Sequence, residues 1–171
     1  AHAREALRIT MAIEHRQWMA AAYFTLGQVY TLMLQPDEAL PYLETGLPLA
    51  RELGSAYWIG NITSCLAHAH LLKNELQHAE AVLQAVMPRD HAPRNLPERR
   101  MMWAWGEVTL AQGKSDIALH IAEQLIDSAP GADKSQPIPA LLKLKGAALM
   151  ALDRFDEVER VLEQAKLGAG T

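Results

Sequence analysis

A small residue sits inside a helical pattern at Gly27, Ala67, Gly106 and Gly146, at intervals of 40, 39 and 40 residues. Twelve residues beyond each stands a second small or β-branched residue: Ala39, Ala79, Ala118 and Val158. Four further on come Leu43, Leu83, Ala122 and Leu162, and three beyond those Gly46, Val86, Leu125 and Ala165. The opening stretch keeps the same register, since Ala3 and Ala6 precede Leu43 and Gly46 by 40 residues. A period of this length constrains the fold strongly. A unit of about 40 residues cannot bury an apolar face alone, so it must stack on its neighbours and build a superhelix.

Each unit reads as two helices. "WMAAAYFTLGQVYTLML" and "PALLKLKGAALMAL" carry apolar residues at helical spacing. The breaks "QPDE", "KNEL", "QGKSD" and "DRFDE" are short and polar, and short connections make antiparallel neighbours. Pro36 with Asp37 and Glu38, and Ser115 with Asp116, mark helix starts, because a first-turn proline forfeits no hydrogen bond and acids complement the helix dipole. Strand signals are missing, so the expected class is all-α. The helix-pair units are expected over residues 17–54, 55–95, 96–135 and 136–168, after the second helix of a truncated unit over 1–16, all within one domain of 171 residues. A glycine inside a helix costs about 0.5–1 kcal/mol relative to alanine, and close approach of a neighbouring helix is the usual compensation. Pro41 and Pro48 fall inside an expected second helix, and Pro48 is expected to kink or distort it.

The pattern resembles the tetratricopeptide repeat. "YFTLGQVY" followed by "DEALPYLETGL" carries the closest match, at Tyr23, Leu26, Gly27, Tyr30, Ala39, Leu43 and Gly46. "LAHAHLL…HAEAVLQAV" and "MWAWGEV…DIALHIAEQL" match more loosely, and "LKLKGAAL…DEVERVLEQA" matches in the glycine and the spacing. The resemblance implies a right-handed superhelical solenoid of antiparallel helix pairs. Its units are longer than is usual for the family, through the run-on "GLPLARELG" and the loops "PRDHAPRNLP" and "APGADKSQPIP". This long variety looks like the arrays attached to large bacterial signalling proteins, such as nucleotide-dependent transcription regulators and cyclases. Lys145 departs from the pattern, standing where the family has leucine, which predicts looser packing in the last unit.

Composition narrows the function classes. A formal charge of −4, with no run of basic residues longer than Arg99-Arg100, argues against direct nucleic-acid binding. A single cysteine, Cys65, excludes an internal disulfide and fits a reducing, cytoplasmic setting. No apolar stretch is long enough to predict a membrane span. The chain opens mid-helix without an initiator methionine, which predicts that it belongs to a longer protein. Phosphate loops, nucleophile elbows and HExxH or CxxC motifs are missing, so no catalytic activity and no cofactor are expected. Among the seven histidines, "CLAHAH" offers Cys65 and His68 on one helix face, but His70 points about 200° away from His68. No metal site is expected in the chain, and His70, at the family's tyrosine position, reads as a hydrogen-bonded, partly buried imidazole. Carboxylates at helix starts, such as Glu157 and Glu159, read as dipole partners.

A helical-repeat array offers a concave groove lined by the first helix of each pair. The resemblance places four stripes there: Ala21, Phe24, Gln28 and Thr31; Asn61, Ser64, His68 and Leu71; Arg100, Trp103, Glu107 and Leu110; Ala140, Lys143, Ala147 and Met150. The expected partner-binding residues are Phe24, Gln28, Asn61, His68, Arg100, Trp103, Glu107 and Lys143, with Phe24 and Trp103 as aromatic anchors. Trp105, two residues from Trp103, points the other way and is expected in the core. The function read from these features is a non-catalytic scaffold binding a protein, a peptide or other domains of a parent chain. The alternative is an effector-sensing module holding a small ligand in the groove, and apolar faces at the repeat ends leave self-association open.

Overall fold

A computed structural model describes residues 2–128 and 138–169. Among these the chain forms nine helices and no strand: α1 (His2–Ala12), α2 (Arg16–Leu32), α3 (Pro36–Glu52), α4 (Ala56–Leu72), α5 (Leu76–Gln84), α6 (Leu96–Ala111), α7 (Ser115–Asp127), α8 (Ile138–Ala151) and α9 (Phe155–Ala169). The chain is all-α. Most of the loop "APGADKSQPIP", and with it the expected boundary between residues 135 and 136, lies outside the described residues.

Six of the connections are the same three-residue turn. Its central residue is left-handed: Glu14 (φ 54°), Leu34 (57°), Gly54 (62°), Asn74 (59°), Gly113 (77°) and Asp153 (57°). Each turn closes with two backbone bonds onto the finished helix. In the second, Leu34 N–H donates to Thr31 O at 3.0 Å and Gln35 N–H to Tyr30 O at 2.9 Å. The other five repeat these offsets, as with Asn74 to Leu71 and Glu75 to His70, both 2.9 Å. This is the Schellman arrangement, which satisfies carbonyls that the last helical turn leaves without partners. Only two of the six central residues are glycine, so four side chains hold a conformation L-residues disfavour.

The chain divides into two compact units, Ala1–Met101 and Met102–Thr171. In the first, α1 packs on α2, α2 on α3, α3 on α4 and α4 on α5, and α2 also meets α4. Its core gathers Phe24, Leu40, Leu43, Leu47, Ile62 and Leu66 with Ala39, Ala50 and Ala69. Leu43 and Ile62 are fully buried, and each such side chain contributes about 1.5–3 kcal/mol by leaving water. Gly27 shows why the period demands a small residue: a Cβ there would overlap Cγ and Cδ2 of Leu43. Gly46 likewise admits Tyr23, whose Cβ would lie 2.9 Å from an added methyl. α3 runs unbroken through Pro41 and Pro48, both on its exposed side, so neither ends the helix.

In the second unit α7 packs on α8 and α8 on α9, around Leu119, Leu144, Leu149 and Val161 with Ala118, Ala122 and Ala148. Gly106 is again a close approach, with Leu144 Cδ2 at 2.5 Å and Ile121 Cγ2 at 3.2 Å from an added Cβ. Gly146 is different. Among the described residues an added Cβ would meet Val161 Cγ1 at 3.8 Å, an ordinary contact, beside Lys145, which reaches Glu123 at 3.0 Å. Trp105 is 1% exposed and Met102 equally so, both core residues as their register implies.

Candidate functional site

The stripe residues of α4 and the start of α6 meet within the first unit. Asn61 and Ser64 are one helical turn apart, as are Ser64 and His68, so they share one face of α4. Arg100 Nη1 donates to Asn61 Oδ1 at 2.7 Å, and Ser64 Oγ donates to Arg100 O at 3.1 Å. Asn61 Nδ2 in turn donates to Tyr57 O at 2.8 Å, and His68 Nδ1 lies 2.7 Å from Ser64 O. Asn61 is 1% exposed, whereas His68 and Arg100 are half-buried. The guanidinium is therefore held in one orientation by an amide whose own groups are satisfied. Burial pushes the nearby Cys65 thiol up to about 12, against the weaker pull of the Arg100 charge. A thiol so reluctant to ionise is a poor metal ligand and nucleophile.

Two of the expected groove residues are buried. Phe24 is 9% exposed and belongs to the core of the first unit, its ring 5.9 Å from that of Trp58. A stripe position three residues before Gly27 would face solvent in a lone helix pair, but α4 packs over α2 and covers it. Asn61 is an internal bracket for Arg100 rather than a free donor. Gln28 is half-buried and stands outside the Asn61–Arg100 network. In the second unit Trp103 is half-buried against the core, Glu107 is half-buried and Lys143 is exposed.

A second feature of the first unit lies in a segment read as loop. Asn95 caps α6: its Oδ1 accepts from Glu98 N–H at 3.0 Å, while Glu98 Oε2 accepts from Arg94 N–H at 2.7 Å. Arg94 Nη2 and Asn95 Nδ2 also reach Glu98, at 3.2 and 2.9 Å, and His91 Nε2 lies 3.4 Å away. Burial alone would raise the Glu98 carboxyl, but the Arg94 N–H, its guanidinium and Asn95 together hold it down at about 2. These groups rim a cavity of about 300 Å³ whose apolar wall includes Ile59, Met87 and Met101. Gly60, on the cavity wall, admits the close approach of Pro97, whose Cβ would lie 2.7 Å from an added methyl. The spacing Asn95-x-x-Glu98 is a capping-box signature, and that is the sequence signal for this site.

The metal-ligating donors that converge in the first unit are His70, Glu75 and His78. Cys65, His68 and His70 do not converge: His68 is engaged by Ser64 and His70 by Glu75. At the repeat ends, apolar side chains remain exposed, among them Ile9, Met11, Ile13 and Trp18 near the start and Phe155 and Leu162 near the finish. Among the described residues no helix is long and apolar enough to cross a membrane. No protein-family model matches the sequence, and no curated protein matches it either.

Proposed function

We propose that this chain is a non-catalytic, tetratricopeptide-like scaffold of antiparallel helix pairs in a right-handed superhelix, which binds a protein or peptide segment along the exposed faces of its first helices. The observation that carries this reading is Arg100, half-buried and fixed by buried Asn61 at 2.7 Å. A pre-oriented guanidinium loses little entropy on binding and favours a segment bearing a carboxylate, with half-buried Gln28 on the α2 stripe and His68 on the α4 stripe as further polar groups. The segment belongs either to another protein or to further domains of a parent regulatory chain.

Selection of displayed peptides on the full chain tests this. Acidic peptides should emerge, and Arg100→Ala should weaken them at least about tenfold, the 1.4 kcal/mol or more of a lost charge-assisted bond. Arg100→Lys, which keeps the charge but loses the planar fork, should fall between, with circular dichroism unchanged. Failure to select any peptide, or equal binding by Arg100→Ala, would sink the reading.

A second reading, small-effector sensing, draws support from the 300 Å³ cavity beside Arg94, Asn95 and Glu98. It predicts a melting temperature that rises with ligand concentration by mass action.

A further inference from the structure

The turn between α4 and α5 gathers three metal-ligating side chains that a single helix could not. His70 lies in the last turn of α4, Glu75 is the N-cap residue of α5, and His78 follows three positions later on the same side of that helix. Asn74, left-handed at φ 59°, folds the two ends back on each other. The ligand atoms of the three residues lie within 4.8 Å of one another. His70 Nδ1 is already 2.8 Å from Glu75 Oε2, and the His70 and His78 rings are stacked with centroids 5.4 Å apart.

We propose that His70, Glu75 and His78 bind a divalent cation of the zinc class. Two imidazoles and one carboxylate suit Zn²⁺, Ni²⁺ or Cu²⁺, whereas Ca²⁺ and Mg²⁺ take oxygen donors. A tetrahedral site with bonds near 2.0 Å sets its donors about 3.3 Å apart. The cation replaces the proton between His70 and Glu75, and their separation opens by about 0.5 Å from the 2.8 Å seen here. His78 is exposed and closes the remaining gap by rotating, a movement that disturbs no core contact. His70 is 9% exposed and supplies the rigid side of the site.

The neighbouring charges are accounted for. Lys73 Nζ approaches the other carboxylate oxygen, Glu75 Oε1, at 3.4 Å, but is held more closely by Asp37 in α3 at 2.8 Å. One Glu75 oxygen is thus left to the cation. Three protein donors leave a fourth position for water, so the ion ties the end of α4 to the start of α5 and stiffens the hairpin.

Calorimetric titration of the full chain with ZnCl₂, and with CaCl₂ for comparison, tests the proposal. One Zn²⁺ per chain should bind, with Ca²⁺ giving no heat. His78→Ala and Glu75→Gln should each weaken Zn²⁺ at least about tenfold, since even an outer partner of a metal ligand is worth 10–100-fold. His120→Ala, an exposed histidine in α7, should leave binding unchanged. The His78 variant decides the matter, because its exposed side chain can be removed without unfolding the chain, and circular dichroism verifies this. No Zn²⁺ binding by the native chain, or binding that His78→Ala leaves unaltered, would overturn it.

Discussion

Gly27 and Gly146 occupy the same position of the repeat, yet alanine should act on them in opposite directions. In a helix interior alanine is favoured over glycine by about 0.8–1 kcal/mol, so each substitution starts with that gain. At Gly27 the new methyl overlaps Cγ and Cδ2 of Leu43. Leu43 is 0% exposed, and Cγ is too near the backbone to swing aside. Overpacking of this kind costs about 1–3 kcal/mol, which leaves a net loss of up to about 2 kcal/mol. At Gly146 the methyl meets, among the described residues, Val161 Cγ1 at 3.8 Å, an ordinary contact, so most of the helix gain should survive.

Urea denaturation followed by circular dichroism measures both, as midpoint shifts at unchanged slope. The two glycines lie in different compact units, so a biphasic transition would assign each shift to its own phase. A double-mutant cycle sharpens the first case. Leu43→Ala alone should cost about 2–5 kcal/mol as a buried truncation, but clearly less in the Gly27→Ala background, where it relieves the overlap. Gly27→Ala at least as stable as the native chain, or strict additivity with Leu43→Ala, would refute the reasoning.

Further outcomes are expected at single sites. Leu34 is 71% exposed at φ 57°, so Leu34→Gly should stabilise by about 0.5–1 kcal/mol, the left-handed penalty less the added chain entropy; Gly113→Ala, at φ 77° with nothing near its Cβ, should lose about 1 kcal/mol, both read by thermal unfolding. Glu98 is held at about 2, below its ordinary 4.5, so its contribution is present above 4.5 and lost as the pH falls toward 2. The melting-temperature gap between the native chain and Glu98→Gln should therefore close across that window, and a gap constant with pH would contradict the assignment. Trp105→Ala should cost about 3–5 kcal/mol in urea unfolding, and Trp103→Ala, half-buried, less than half as much.

The features legible in the sequence were those set by local chemistry. The period, the helix starts at Pro36 and Ser115 and the burial of Trp105 depend on residue type and helical phase alone. Phe24 was not legible, because its burial comes from α4, a helix two elements away, and phase on α2 cannot report that. The His70–Glu75–His78 group was hidden for a related reason. Its residues belong to two helices and meet through the left-handed Asn74, a meeting that spacing along one helix does not report. Leu34 in a left-handed turn carries no residue-type signal at all. There the backbone geometry is imposed by the packing of α2 on α3, and the side chain accepts it.

The recurring three-residue turn has a consequence for how such a chain can change length. Left-handed residues fall at positions 14, 34, 54 and 74, every twenty residues, and they close α1, α2, α3 and α4 alike. From α1 to α4 the backbone thus keeps no record of where one pair ends and the next begins; that distinction is carried there by side-chain packing such as Leu43 against Gly27. The smallest exchangeable module is one helix with its turn. Deleting or duplicating twenty residues would preserve every local hydrogen bond while bringing the wrong faces together, and only steps of forty restore both.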